Sequence, residues 1–215
     1  MAAFGTEPLT AQSWGSVSFS SIDPTADTKY IYQTSKTAAE RELWAIAMSN
    51  PTVDFITIVP PVIFGPFVPH FPNSKNRMAL GTNDFVYTLL TGGPEGPNTY
   101  PPVPIGHMVD VRDVAKAHVQ ALSVSPVPGI NKRLLISSGT FTWKATADLI
   151  RTARPELASR LPSESAQAVM QTNAPMDVSL ADKVIAMSED SYISWEDTML
   201  ATIDAVVAWE KTVEV

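Results

Sequence analysis

The chain has no cysteine among its 215 residues, so neither a disulfide framework nor a thiolate metal site can be built from it. Histidine is scarce: His70, His107 and His118 stand at no metal-ligand spacing, and each reads as a structural or exposed residue. Basic charge is in deficit, with 15 Lys+Arg against 22 Asp+Glu, a net charge of -7 and a pI near 4.9. That balance argues against nucleic acid or an anionic membrane surface as partner and leaves a small neutral or apolar substrate. Glycine is also sparse, at ten residues, and no Gly-x-Gly-x-x-Gly occurs. The one glycine-rich stretch, residues 91–97, is interrupted by prolines that remove the backbone donors a phosphate needs. The longest apolar run, residues 53–69, contains Asp54 and several prolines, which excludes a membrane span. Residues 1–8 have neither a basic start nor an apolar stretch, so no signal peptide is expected and the cytoplasm is the expected compartment.

What is present fits a globular α/β chain. Apolar residues make up 45% and charged residues 17%, enough for one domain with a substantial core. Residues 1–27 carry Gly, Ser, Thr and Pro without period and read as loop; residues 28–215 read as the folded domain. Within it, residues 28–66 form a helix, a strand and a turn, and residues 67–215 form mainly a helical lobe with supporting helices. From about Lys29 to Ser49 an apolar stripe of Tyr32, Ala39, Leu43, Ile46 and Ala47 predicts a helix packed on a core, stopped by Pro51. The run from Val53 to Val59 predicts an interior parallel strand covered on both faces. Residues 60–66 predict its exit turn, at the end of a strand where open α/β sheets place ligands.

A helix is expected near Asp84 to Leu90 and another from Met108 to about Leu122, with Asp110, Arg112 and Asp113 read as capping and local ion pairing. Leu134 to Ser137 reads as a strand, and Thr142 as the cap of a helix from Trp143 to Ala153. Ser179 to Asp182 and Ser194 to Asp197 resemble capping boxes of two closing helices.

Tyr32 and Lys36 carry the chemistry. Four residues apart on a helix, they share a face. A phenol with an ordinary pKa of about 10 becomes a useful acid near neutrality only when a cation beside it favours the phenolate. Lysine at that spacing supplies the cation, and its stem reaches ribose hydroxyls. The same pair is equally the signature of a solvated helix face with two amphipathic side chains.

Four stretches together, in order and at fitting distances, resemble one family: the Tyr32 to Lys36 pair, the residues 60–66 turn, residues 108–118, and Ser138 to Trp143. The family is the extended short-chain dehydrogenase/reductases, in the branch of the dihydroflavonol reductases and the fungal ketone and aldehyde reductases. The resemblance covers nearly everything from residue 28. It implies the carboxyl-terminal part of a doubly wound, Rossmann-like parallel sheet with a small, mostly helical substrate lobe. The implied activity is NADP-dependent, or NAD-dependent, reduction of a small-molecule carbonyl or oxidation of the alcohol. Hydride would pass to the carbonyl carbon while Tyr32 gives its proton to the oxygen. Lys36 would lower the tyrosine pKa and hold the ribose, and the backbone of Pro60, Pro61, Val62 and Ile63 would lie against the nicotinamide. Ser74 is a further candidate contact to a phosphate, and residues 67–100 would wall the substrate pocket.

The family's opening strand and glycine-rich turn have no counterpart here, and residues 1–5 look like the segment just past its catalytic serine. Ser13, Ser16, Ser18, Ser20 and Ser21 sit in a loop that promotes none of them. A shortened reductase would leave strand edges open and be poorly soluble. Two other readings stand beside the reductase: a non-catalytic binding or regulatory remnant, and a nucleotide-sugar epimerase, which shares the Tyr/Lys pair.

Overall fold

The computed structural model of the chain describes residues 7–15, 25, 27–71, 74–92, 98–102, 106–126, 132–167 and 173–213. Residues 1–5, four of the five candidate serines (Ser16, Ser18, Ser20 and Ser21), and residues 93–97 of the glycine-rich stretch lie outside them. The architecture is α/β, with parallel strands and helices as the resemblance implies.

Helix α1 (Thr28–Ser49) starts where the Asp27 carboxylate accepts the Lys29 amide at 2.6 Å, and it ends ahead of Pro51. Strand β1 (Ile56–Val59) is shorter than the apolar run suggested, because Asn50 to Val53 close a turn before it. It pairs in parallel with β4 (Lys132–Leu135), in the register Ile56 to Lys132 through Val59 to Leu135. All four β1 residues are only half-buried, and among the described residues β4 is the sole partner. The interior strand covered on both faces is therefore corrected: β1 is an edge.

Residues 60–66 are not one turn. Pro60 and Pro61 end the first ladder, since neither can donate a backbone hydrogen bond. The β-branched and aromatic residues after them then form β2 (Val62–Phe64), paired in parallel with β3 (His107–Asp110). Nor does a helix begin at Met108. Met108 and Val109 are fully buried in β3, and Asp110 caps α3 (Val111–Ala121) by accepting the Arg112 amide at 2.8 Å. The strand expected at Leu134 to Ser137 is shifted by two residues to β4, and Ile136 to Ser138 carry the chain onward. Ile136 still donates to the Val59 carbonyl, and Ser138 donates to that of Met108. There β5 (Gly139–Thr140) lies antiparallel to β3.

Thr142 caps α4 (Trp143–Ala153) as expected, its hydroxyl accepting the Ala145 amide at 3.1 Å. Ser194 accepts the Asp197 amide at 3.1 Å at the start of α6 (Trp195–Val213). At α5 (Ser179–Ile185) the accepting side chain is Asp177 rather than Ser179, which is already helical.

The lobe core joins β2, α2 (Asp84–Thr91), α4 and α6. Phe64 stands edge-on to Phe141 and Trp143, with ring centroids 5.8 and 6.2 Å away, and Ile150, Met199 and Ile203 close around them. A second core lies under α3 and α5, and a third, small one joins Leu9, Leu135 and Ala174. Leu9 forms a parallel bridge with Met176, so part of the amino-terminal stretch is packed structure rather than loop. No residue of α1 belongs to any of the three cores. The stripe expected to face a core is largely outward: Tyr32 is 61% exposed, Ile46 46%, and Ala39 is exposed too, while Leu43 and Ala47 are half-buried. Only Thr34 and Trp44 of this helix are buried.

Candidate functional site

Tyr32 and Lys36 lie one turn apart on the exposed face of α1, with the Lys36 ammonium 5.8 Å from the centre of the Tyr32 ring. The amine thus sits over the phenol's π face, a favourable electrostatic arrangement. Three of the chain's other four tyrosines are shifted the wrong way for a proton donor. Burial pushes Tyr87 up to about 12, helped by its hydrogen bond to Glu210, and burial likewise raises Tyr192 to about 12 and Tyr100 in the same direction.

Besides the buried Trp44, α1 is held by polar contacts. Arg133, on β4 and 4% exposed, makes a two-pronged contact with Glu40: Nε donates to Oε1 at 2.8 Å and Nη2 to Oε2 at 3.2 Å. Thr57 of β1 donates to the same Glu40 oxygen at 2.9 Å. The other arm of Arg133 donates to the carbonyls of Ala11 and Ser13, and its face stacks on Trp14 at 4.4 Å. Arg41 covers Trp14 as well, at 5.6 Å. Sequence reasoning missed all of these. Glu40 and Arg41 stand off the apolar stripe, and nothing local to Arg133 announces a partner 93 positions away.

Pro60, Pro61, Val62 and Ile63 are half-buried at the junction of β1 and β2. The Ile63 carbonyl already accepts the Thr82 hydroxyl, and Asn83 donates to the Gly65 carbonyl at 2.8 Å. Residues Arg77–Asn83, a tight turn that kinks at Gly81, thereby fix the course of the chain after β2. Ser74 lies elsewhere, on a groove of about 570 Å³ between residues 66–71, Ser74 and Lys75 on one side and α6 on the other. Its hydroxyl accepts the Asn76 amide at 3.1 Å and its carbonyl accepts the Trp209 indole at 2.9 Å. Neither of these bonds involves Tyr32 or Lys36.

The acidic cluster at α3 does structural work. Burial pushes the Asp110 carboxyl up, but the Arg112 side chain and amide, with Thr198, outweigh it and hold it below the usual range. Asp113 accepts the Ile193 amide at 2.8 Å, and burial raises its pKa. His107 is buried, bridging the Ser137 hydroxyl and the Ala174 carbonyl, while His118 is exposed. Among the described residues no group of side chains could hold a metal ion, and no helix is long and apolar enough to cross a membrane.

The donor set fits one end of a dinucleotide. A phenol and an ammonium on one open helix face can engage ribose hydroxyls and a carboxamide. Among the described residues there is no glycine-rich turn opening a helix, and so no cradle of that kind for a pyrophosphate.

Parallel strands with helices packed against them define a Rossmann-like α/β protein. No protein-family model matches the chain. The ketoreductase azaE of Aspergillus niger is 40% identical over 135 residues, which cover 61% of this chain and 38% of that protein. A putative NADPH-dependent methylglyoxal reductase of Candida albicans is 31% identical over 159 residues, covering 72% and 43%. The crystal structure of Gre2 from Candida albicans superposes with a TM-score of 0.76 at 25% identity, covering 97% of this chain and 63% of that one. These relatives and this fold are those of the extended short-chain dehydrogenase/reductase family, as the sequence resemblance implies. It spans about two-fifths of the length of the curated relatives it matches.

Proposed function

We propose that this chain carries the proton-donating part of an NADPH-dependent reductase acting on a small-molecule carbonyl. The observation that carries the reading is the Tyr32 hydroxyl and Lys36 ammonium sharing one face of α1, the amine 5.8 Å from the ring centre. The names of the relatives, a ketoreductase and a putative NADPH-dependent methylglyoxal reductase, support the reaction class and the choice of NADPH. When bound, the cofactor supplies the hydride. Tyr32 gives its proton to the carbonyl oxygen as negative charge develops there, and Lys36 stabilises the phenolate left behind. Lys36 also holds the ribose, and the Pro60 to Ile63 backbone limits how deep the nicotinamide end can sit. Ser74 is a peripheral contact in this scheme: its hydroxyl accepts the Asn76 amide and can still donate its proton to a phosphate.

NADPH oxidation measured with aliphatic and aromatic ketones tests the proposal. Tyr32→Phe should lower kcat by about 10²- to 10⁴-fold, the usual contribution of a general acid. Activity untouched by that change would end the mechanism. The exposure of Tyr32 and the open edge of β1 favour a second reading, a chain that binds no dinucleotide by itself. Titrating NADPH against the purified protein separates the two, since saturable binding supports the first and its absence the second.

A further inference from the structure

Helix α1 bears the reactive pair, yet none of its residues belongs to the three apolar clusters, and Trp44 is its one buried apolar side chain. Three of the five stripe residues, Tyr32, Ala39 and Ile46, are exposed, and the buried Trp44 indole nitrogen lacks a hydrogen bond. Apolar packing of this helix is confined to Trp44, and a polar cluster adds a directional constraint on how the helix is rotated about its own axis. Glu40 receives three hydrogen bonds from the sheet, two from Arg133 on β4 and one from Thr57 on β1. Arg133 in turn ties the helix to residues 11–14 through two carbonyls and the Trp14 ring, which Arg41 of α1 covers as well. A guanidinium suits this task because its planar fork grips both carboxylate oxygens and still presents its flat side to an indole.

We infer that Arg133, acting through Glu40, is a positioning residue that fixes the rotation of α1 and so the placement of Tyr32 and Lys36. The inference rests on the reductase reading for its catalytic consequence but not for its structural one. Tyr32 lies eight residues before Glu40, about 12 Å along the axis, so it feels rotation of the helix as a rigid rod. Turning the rod by about 20° moves an atom at its outer radius of ~5–6 Å through about 2 Å. A misplacement of about 1 Å at a reacting group costs on the order of a hundredfold in rate. Loosening this clamp should thus silence a site it never touches.

The test uses Arg133→Lys, which keeps the charge but loses the fork and the stacking, and Glu40→Gln, which keeps the shape and leaves Arg133 bonded to Ala11 and Ser13. Amide hydrogen exchange is followed across the whole chain, with NADPH oxidation measured alongside. For Arg133→Lys we expect α1 amides to exchange about tenfold faster or more while those of β3 and α6 keep their protection, which marks local rather than global opening. Glu40→Gln should give the same pattern at smaller amplitude, and it serves if Arg133→Lys does not fold. Where the chain is active, kcat should fall about a hundredfold with KM and the pH profile little changed. Unaltered α1 exchange in both variants, or acceleration spread evenly over the molecule, overturns the inference. If exchange responds as expected but the wild-type chain never oxidises NADPH, the clamp stands and the reductase reading falls.

Discussion

The ion pair between Lys132 and Asp54 should respond very unequally to the loss of its two members. The Lys132 side chain is 2% exposed and its ammonium lies 2.5 Å from an Asp54 oxygen; its other acceptor, the Ser125 carbonyl, is 3.4 Å away. Asp54 is 21% exposed. Replacing Asp54 with Ala strands a buried ammonium with one distant carbonyl, a situation that costs roughly 3–5 kcal/mol. Replacing Lys132 with Met keeps an unbranched apolar stem of similar length in the same slot, and the remaining carboxylate can turn to water. That change should cost no more than about 1 kcal/mol, as for a partly exposed pair. The predicted gap, roughly 2–4 kcal/mol, corresponds to about 1–2 M in urea midpoint for a slope near 2 kcal/mol/M. Urea denaturation followed by far-UV circular dichroism measures it. The double variant should resemble Lys132→Met alone, because the stranded charge is then gone. A Lys132→Met variant as unstable as Asp54→Ala would refute the reasoning, since it would place the cost in lost attraction rather than in the uncompensated ammonium.

Two further substitutions probe the frame around the site. Gly65 has φ +137°, and a Cβ there would stand 2.8 Å from Val111 Cγ1 and 3.2 Å from an Asp110 carboxylate oxygen. Gly65→Ala should therefore destabilise by about 2 kcal/mol or more, seen as a fall in Tm of several degrees, and an unchanged Tm would show that α3 yields easily. Asp113 has its pKa raised by burial, so its contribution to stability is fully present below the unfolded carboxylate range and is lost as pH rises through the folded value. Asp113→Asn, which keeps an acceptor for the Ile193 amide, should match or exceed the wild type in Tm at pH 7, with the advantage shrinking toward pH 4. A variant clearly less stable at pH 7 would mean that the charge itself is needed there.

The readable parts of this molecule are those whose cause is local. Thr142 announces α4 because a hydroxyl three residues ahead of a free amide satisfies it, and Pro51 closes α1 because the residue before a proline avoids helical angles. The Tyr32 to Lys36 proximity is of the same kind, fixed by helical spacing alone. The direction α1 faces is not local. Its apolar stripe predicts a buried seam, whereas Glu40 turns toward Arg133 and carries that stripe outward. Met108 and Val109 could not be read as strand for a related reason. Two apolar residues between His107 and Asp110 set no period, and only the pairing with β2, 46 positions earlier, makes them β. The diproline was seen as part of a long turn, although the β-branched Val62 and Ile63 after it carried the signal of a new strand.

The two halves of the proposed reaction site are thus held by different forces. The lobe is set by aromatic and aliphatic packing around Phe64, Phe141 and Trp143, a close-packed interior that resists continuous deformation. Helix α1 is set by directional bonds to one carboxylate, which constrain rotation strongly but draw little cohesion from apolar burial. Damage should therefore divide along the same line. Truncating Phe64 lowers the stability of the lobe without changing the partners of Glu40, whereas altering Arg133 frees the helix while the lobe core stays intact. A proton donor mounted on a separately clamped helix can be re-aimed by changes at the clamp, and the shape of the lobe can change without disturbing the donor.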